Sequence, residues 1–390
     1  MPDTPALIAA WARSAVAPHG GAFRALAAHE IAAPVLQSLL QRAGISGNSV
    51  DAVVLGNALG AGGNPARMVA LAAGLPDRCA ALSIDTQCCA GLDAIAVAVG
   101  ILASGQANVV VAGGAEAWSR APIRQHRPLH PGEVPVEYDR PAFAPSAARD
   151  PDLLQAAADY AGAHGIDRLA QDAYAVQSHQ RAVENQTALQ DEIVSIAGLS
   201  ADAYPRRLRP SAAARLPVQA VPQSGPSGVA AEDCAVSTLA ISPRADGAAL
   251  VLLMTPDACR RLGVHPSVQW RTSVSVGHDP AMPLLAAEVA TRAALERAGL
   301  AGVQELGVIE LHDAFAVQGL SYCHALGLEP ASINRRGGGI ARGHPIGASG
   351  AIALVRVLTD LQRLHGPGAW GLAAIAGAGG IGAAALVQRC

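Results

Sequence analysis

Two stretches of this chain repeat one another, and a repeat of this length leaves few architectures open. Residues 88–102, CCAGLDAIAVAVGIL, are followed by NVVVAGGAE, and residues 345–359, PIGASGAIALVRVLT, are followed by WGLAAIAGAGG. Matching AIAVAVGIL to AIALVRVLT sets Cys88 opposite Pro345, one residue after His344. Each copy is a helix-length apolar run with a strand-length run behind it. Two similar halves related by a two-fold would bring both helix starts into equivalent positions.

The rest of the chain keeps the same rhythm. Short apolar runs at 50–56, 107–114, 248–254, 305–311 and 370–377, bounded by Gly or polar turns, read as buried strands. Helix-length segments at 28–43, 91–104, 284–298 and 348–364 lie between them, so the alternation predicts α/β layers with helices covering a sheet. A chain of 390 residues that is 51% hydrophobic and 15% charged has apolar material for two core-sized units. Aromatics make up only 3%, which leaves the helix–sheet packing to Ala, Gly and Val.

From 119 to about 240 the rhythm breaks. This region holds many of the prolines and 11 of the 28 arginines, yet RLAQDAYAVQSHQRAVENQ (168–186) reads as one amphipathic helix. An inserted, partly irregular domain is expected here. Arg206, Arg207 and Arg209 in its RRLRP cluster read first as a solvated face and second as contacts for nucleotide phosphates.

Composition excludes several chemistries. All 28 basic residues are arginine, so lysine Schiff bases and a Walker-type phosphate lysine are absent. A net charge of -3 gives no electrostatic reason to expect nucleic acid. The start, MPDTPALIAAWARSA, lacks a basic leader region, and no later segment reaches the roughly 18 uninterrupted apolar residues of a membrane span. A cytoplasmic protein with no membrane association is expected. Cysteines at 79, 88, 89, 234, 259, 323 and 390 form neither a CxxC pair nor a His/Cys metal cluster, so reduced thiols and no metal are expected.

Three residues carry chemistry. A cysteine at a helix N-terminus feels the partial positive charge of unpaired N–H groups, which favours its thiolate; SIDTQCCAGLDAI offers Cys88 or Cys89 in that place. Taken alone, such a pair reads as two small buried hydrophobes. His344 sits in the glycine-rich turn GGGIARGHPIGASG (337–350) that leads into a helix, where little bulk keeps a substrate away. His312 lies with Asp313 at the end of a strand in ELHDAFAVQ (310–318).

Seven blocks in the same order resemble the thiolase family across most of the chain: GNALGAGGNPARMVALAAGLP (56–76), CCAGLDAI (88–95), VVVAGGAEAWSRAP (109–122), SPRADGAALVLL (242–253), HDAF (312–315), the 337–350 turn and AGAGGIG (376–382). The family nucleophile lies three residues before a glycine, as in Cys-Gly-Ser-Gly. CCAG meets this pattern with Cys88 before Gly91, and Cys89 replaces a glycine. The resemblance implies the thiolase fold, two similar βαβαβαββ halves in a layered α/β arrangement. One half would cover 1–118, completed by about 241–260, the other 261–390, and a loop domain 119–240. It also implies an acyl-coenzyme A substrate, no bound cofactor, and a homodimer or homotetramer with or without accessory subunits.

By the same resemblance Cys88 would attack a thioester carbonyl while His344 takes its proton. Backbone N–H groups of Cys88 and Ala378 would meet the oxyanion. His312 would hold the carbonyl oxygen of a second thioester, where most members carry Asn in NEAF and hold a water; sterol-carrier-type thiolases share the His. Ser242 matches a serine that contacts pantetheine and Phe315 would line the same tunnel, a turn serine and a core aromatic being the plainer readings. Thiolases end in Cys-x-Gly-Gly-Gly-x-Gly, whose Cys exchanges the substrate α-proton. Anchoring on Gly379, Gly380 and Gly382 puts Ala376 in that place. Three readings stay open: forming or thiolytically cleaving a β-ketoacyl thioester; a decarboxylating condensation or C-acyl transfer that needs no second Cys; and a non-catalytic thiolase-like subunit.

Overall fold

The run VVVAGGAEA (Val109–Ala117) is buried along its whole length. Val109 and Val111 face one apolar cluster, Val110 and Ala112 another. A strand covered by helices on both faces gains nothing from polar alternation, which is why the apolar runs are continuous.

The computed structural model describes residues 5–60, 62–225 and 230–390. In the first half the principal elements are β1 (Leu7–Ser14), α1 (Ala28–Ala43), β2 (Ala52–Gly56), α2 (Pro65–Ala72), β3 (Ala80–Ile84), α3 (Ala90–Ala103) and β4 (Val109–Ala117). After α4 (Leu153–His164) and α5 (Arg168–Glu184) the chain returns in β5 (Ala245–Met254). The second half contains β6 (Val268–Gly277), α6 (Ala286–Ala298), β7 (Leu306–His312), α7 (Ala316–Leu326), α8 (Ile346–Leu364), β8 (Trp370–Gly377) and β9 (Ile381–Arg389).

The main path of the sheet runs β7-β8-β9-β6-β1-β5-β4-β2-β3. Its two halves meet where β1 pairs antiparallel with β6, Leu7 against Gln269 and Ile8 against Val268. Outward from that seam the order is β1-β5-β4-β2-β3 on one side and β6-β9-β8-β7 on the other. The two are the same winding, except that the second half lacks a counterpart of β3 and uses that stretch for the turn before α8. The layered α/β fold anticipated from the repeat is the one observed.

Helices α3 and α8 lie between the halves. One cluster joins their side chains to Val54 and Val110 from the first half and to Ala373 and Ile375 from the second. Outer clusters bury α1 and α2 on one side and α6 and α7 on the other. Small residues let the central helices approach. A Cβ on Gly91 would lie 2.6 Å from the Gly347 carbonyl oxygen, and one on Gly114 would collide with that same oxygen. The starts of α3 and α8 are thereby held side by side, as the aligned copies require.

The middle region is bound to this frame. Ile193–Val194 pairs in parallel with β1. Fully buried Arg13 donates to Glu192 and Asp202 at 2.6 Å each, and Arg356 of α8 pairs with Glu192 and Asp360. Charges at this depth are costly unless paired, and these are paired with one another.

Candidate active site

Cys88 stands on a tight turn. Gln87–Cys89 forms a short 3-10 segment before α3, and Gln87 takes a φ of 52°, a left-handed conformation that a non-glycine residue enters at some cost. The Asp85 carboxylate accepts from the Gln87 N–H at 2.9 Å. Thr86 donates to Asp93 at 2.5 Å, and Ser275 of β6 donates to the same carboxylate. The turn sends the two thiols different ways. Cys88 keeps some exposed surface, whereas Cys89 is 1% exposed and its Sγ lies 3.8 and 3.9 Å from the carbonyls of Ile375 and Ile381.

His344 meets Cys88 from the other helix start, with Nε2 3.2 Å from Sγ. Its Nδ1 lies 2.7 Å from Ser349 Oγ, and that hydroxyl donates its one proton to the Pro345 carbonyl at 3.0 Å. Ser349 therefore accepts from Nδ1–H, which leaves the Nε2 lone pair facing the thiol. The backbone is fixed as well. The His344 N–H donates to Pro243 O at 2.8 Å, and the Trp118 indole N–H donates to His344 O at 3.1 Å.

Burial keeps this pair neutral at rest. It pushes the Cys88 thiol up to about 11, the nearby backbone of Ala378 acting in the opposite direction, and pushes His344 down to about 4. His344 is thus unprotonated at neutral pH, with the Ala378 backbone near the Cys88 sulfur. Ala378 is 7% exposed and precedes the turn of Gly379 and Gly380, at φ 82° and 74°.

His312 ends β7 and is 2% exposed. Its ring centroid lies 4.3 Å from that of His344, and its Nε2 is buried with no partner among the described residues. Burial, then the neighbouring His344 and Arg342, holds it well below the ordinary range, so it is neutral. Gly339 makes room for it, since a Cβ there would lie 2.6 Å from His312 Cε1.

The remaining candidates lie around this centre in less direct ways. Ser242 donates to Gly339 O at 2.6 Å, so its proton holds the glycine-rich turn and only its lone pairs are left for a ligand. Phe315, 9% exposed, packs with Ala157, Ala161 and Val317. Ala376 pairs with Gly382 near the end of β8 and packs toward the outer cluster of the second half. Arg206 folds over the Tyr204 ring at 4.3 Å, while Arg207 and Arg209 are exposed. Among the described residues no group of three His, Cys, Asp or Glu is placed to hold a metal, and no helix is long and apolar enough to cross a membrane.

Sequence reading passed over two supports. Ser349 lies five residues after His344, in a turn whose folding alone brings its hydroxyl to Nδ1. Glu116 is a lone charge in an apolar strand, which is itself a signal, because a buried carboxylate needs donors. It accepts from Asn57 Nδ2 at 2.8 Å, from Ala58 N–H at 2.9 Å and from Gly347 N–H at 3.0 Å, tying the first half to the start of α8. Burial pushes it up to about 7 despite these donors.

Two paired α/β halves with a cysteine and a histidine at adjoining helix starts and a second histidine at a strand end define a class, and comparison supplies its name. Residues 6–257 match the thiolase N-terminal domain and residues 264–389 the thiolase C-terminal domain. The chain belongs to the thiolase family of acyltransferases. YhfS of Bacillus subtilis, provisionally named an acetyl-CoA C-acetyltransferase, is 33% identical over 361 residues, 92% of each chain. VraB of Staphylococcus aureus, named in the same way, is 31% identical over 398 residues, 98% of this chain and 99% of that one. The crystal structure of the Bacillus anthracis acetyl-CoA acetyltransferase superposes with a TM-score of 0.88 at 28% identity, covering 99% of both chains. The Acat5 thiolase of Ascaris suum, solved with coenzyme A, has the same fold at a TM-score of 0.88 and 24% identity.

Proposed function

We propose that this chain takes an acyl group from an acyl-coenzyme A onto Cys88 and passes it to a carbon acceptor. The observation that carries the reading is the 3.2 Å approach of His344 Nε2 to Cys88 Sγ, with the tautomer set by Ser349. The acetyl-CoA acetyltransferase designation of the relatives supports acyl-CoA as substrate.

In the first step the Cys88 proton passes to His344 Nε2 as sulfur attacks the thioester carbon. The oxyanion is met by the N–H groups of Cys88 and Ala378, and coenzyme A leaves as a thiol with the proton from His344. In the second step the unpartnered His312 Nε2, carrying its proton, donates to the carbonyl oxygen of a second thioester. The α-carbon of that thioester, freed by loss of CO2 from a malonyl-type donor or of a proton, attacks the acyl carbonyl. The C–S bond to Cys88 breaks, its thiolate takes up a proton, and a β-ketoacyl thioester forms, thiolysis being the reverse of the proton-losing route. Ser242 and Phe315 would border the pantetheine path, and the 119–240 region would act as a loop domain over it.

Ala376 favours a second reading of the carbon chemistry. A thiolase without its second thiol lacks the α-carbon base, a deficit of about 100- to 10,000-fold for a positioned acid–base group. A donor that decarboxylates, or an acceptor that is already nucleophilic, avoids that need. The approach of Cys88 and His344 weighs against a non-catalytic subunit.

We also read the chain as a homo-oligomer, dimer or tetramer. Strand β3 ends the sheet, and Leu82 on it is 45% exposed beside exposed Met68 and Leu71. An open apolar edge of this kind is normally covered.

The test is a pair of rates on one enzyme. Wild type should release about one equivalent of coenzyme A per chain from acetyl-CoA, and Cys88→Ala none. Deuterium incorporation into the acetyl methyl group and thiolysis of acetoacetyl-CoA should both be slow, and Ala376→Cys should raise both. Brisk exchange by the wild type would mean that another group moves the α-proton and would remove the second reading.

A further inference from the structure

The residue after His312 ties three segments together. Asp313 is fully buried, and its Oδ2 accepts from the Tyr174 hydroxyl of α5 at 2.8 Å while Oδ1 accepts from the Ile340 N–H of the glycine-rich turn at 3.3 Å. The carboxylate fills the space beside Gly338, where a Cβ would collide with it. Tyr174 is itself seated in a fitted slot, because a Cβ on Gly319 of α7 would collide with the phenol oxygen. One turn further along α5, Ser178 Oγ accepts from the Gly338 N–H at 2.9 Å.

These contacts divide unequally between the two histidines. His344 is oriented by Ser349, Trp118 and the Pro243 carbonyl, none of which involves α5. His312 has no side-chain hydrogen bond from its Nε2. Beyond the pairing of His312 with Ile375 of β8 and its ring contact with His344, its place depends on the backbone it shares with Asp313 and on the bare face of Gly339 against its ring. The Tyr174 hydroxyl makes one hydrogen bond among the described residues, to Asp313.

We propose that Tyr174 is a positioning residue for the second half-reaction: its donation to Asp313 holds the end of β7 and the glycine-rich turn in register, so that His312 presents Nε2 to the acceptor thioester. This inference rests on the reading of His312 given above. It assigns the inserted region a part in carbon–carbon chemistry that acylation of Cys88 does not require. Tyr174 touches no substrate and acts only through Asp313 and His312.

The experiment separates the two half-reactions in Tyr174→Phe, which keeps the ring and removes one hydroxyl. Cys88 acylation by acetyl-CoA, followed by intact mass in single turnover, should stay within about twofold of wild type. Consumption of the preformed acetyl-enzyme by malonyl-CoA or by a second acetyl-CoA should fall about tenfold or more, since small misplacement of a catalytic group costs about that much or more. In a His312→Ala background, adding Tyr174→Phe should change the second step no further. Equal loss of both steps, an unchanged second step, or a fully additive double variant would overturn the positioning role. A wild type that acylates but transfers to neither acceptor would instead bring down the reading of His312, and the inference with it.

Discussion

At Cys88 and Cys89 two adjacent thiols have opposite fates, and the turn at Gln87 decides which is which. In the proposed mechanism Cys88 is activated by a histidine whose tautomer depends on a serine, so Ser349→Ala should leave binding in place and slow acylation by about 10- to 100-fold. Single-turnover release of coenzyme A at saturating acetyl-CoA measures this. The pH profile carries a second signature. His344 is held down to about 4 by burial, so it accepts a proton at any higher pH and loses that ability as pH falls through about 4. The acid limb of acylation should therefore lie near pH 4, well below the ordinary histidine range of about 6.5. Cys88, His344 and His312 were legible as candidates because each sits in a local pattern, and the structure gathers those three. Ser349 and Tyr174 were not, because what matters about them is which distant atom their hydroxyl meets, and only the folded turn and α5 decide that.

Among the elements, the fit of α8 against α3 and β4 rests on the absence of side chains. Gly114→Ala would drive a methyl group into the Gly347 carbonyl, backbone against backbone, and should cost about 3 kcal/mol or more. Gly100→Ala, also in a glycine but with nothing within 4 Å on an exposed part of α3, should be neutral or stabilise by up to about 1 kcal/mol. Thermal melts of the two variants check the contrast, and equal effects would mean that the close approach is not what limits the packing. Helices α1, α3, α6 and α8 fall within two residues of where periodicity puts them. Strands β1, β3, β6 and β9 went unread. β1 carries the buried Arg13 that only the Glu192 and Asp202 contacts make tolerable, β6 alternates with polar residues, and the alanines of β9 give no strand signal.

For the whole molecule the repeat was the most informative feature, since it implied two halves and adjoining helix starts before any contact was known. It could not show how the halves meet through β1 and β6, nor that the middle region would reach the reaction centre through α5. The open edge at β3 bears on assembly: light scattering should give a multiple of the 39.4 kDa chain mass, and Leu82→Glu should shift it toward that single-chain value. A wild-type monomer would contradict the homo-oligomer reading. In the proposed mechanism catalysis starts with an acyl group on one of two neighbouring thiols. Peptide mapping of the enzyme quenched in acid after incubation with acetyl-CoA decides it: the acetyl mass should be on Cys88 in wild type and in Cys89→Ala and absent from Cys88→Ala, whereas acetylation of Cys89, or an unlabelled wild type, would contradict the account.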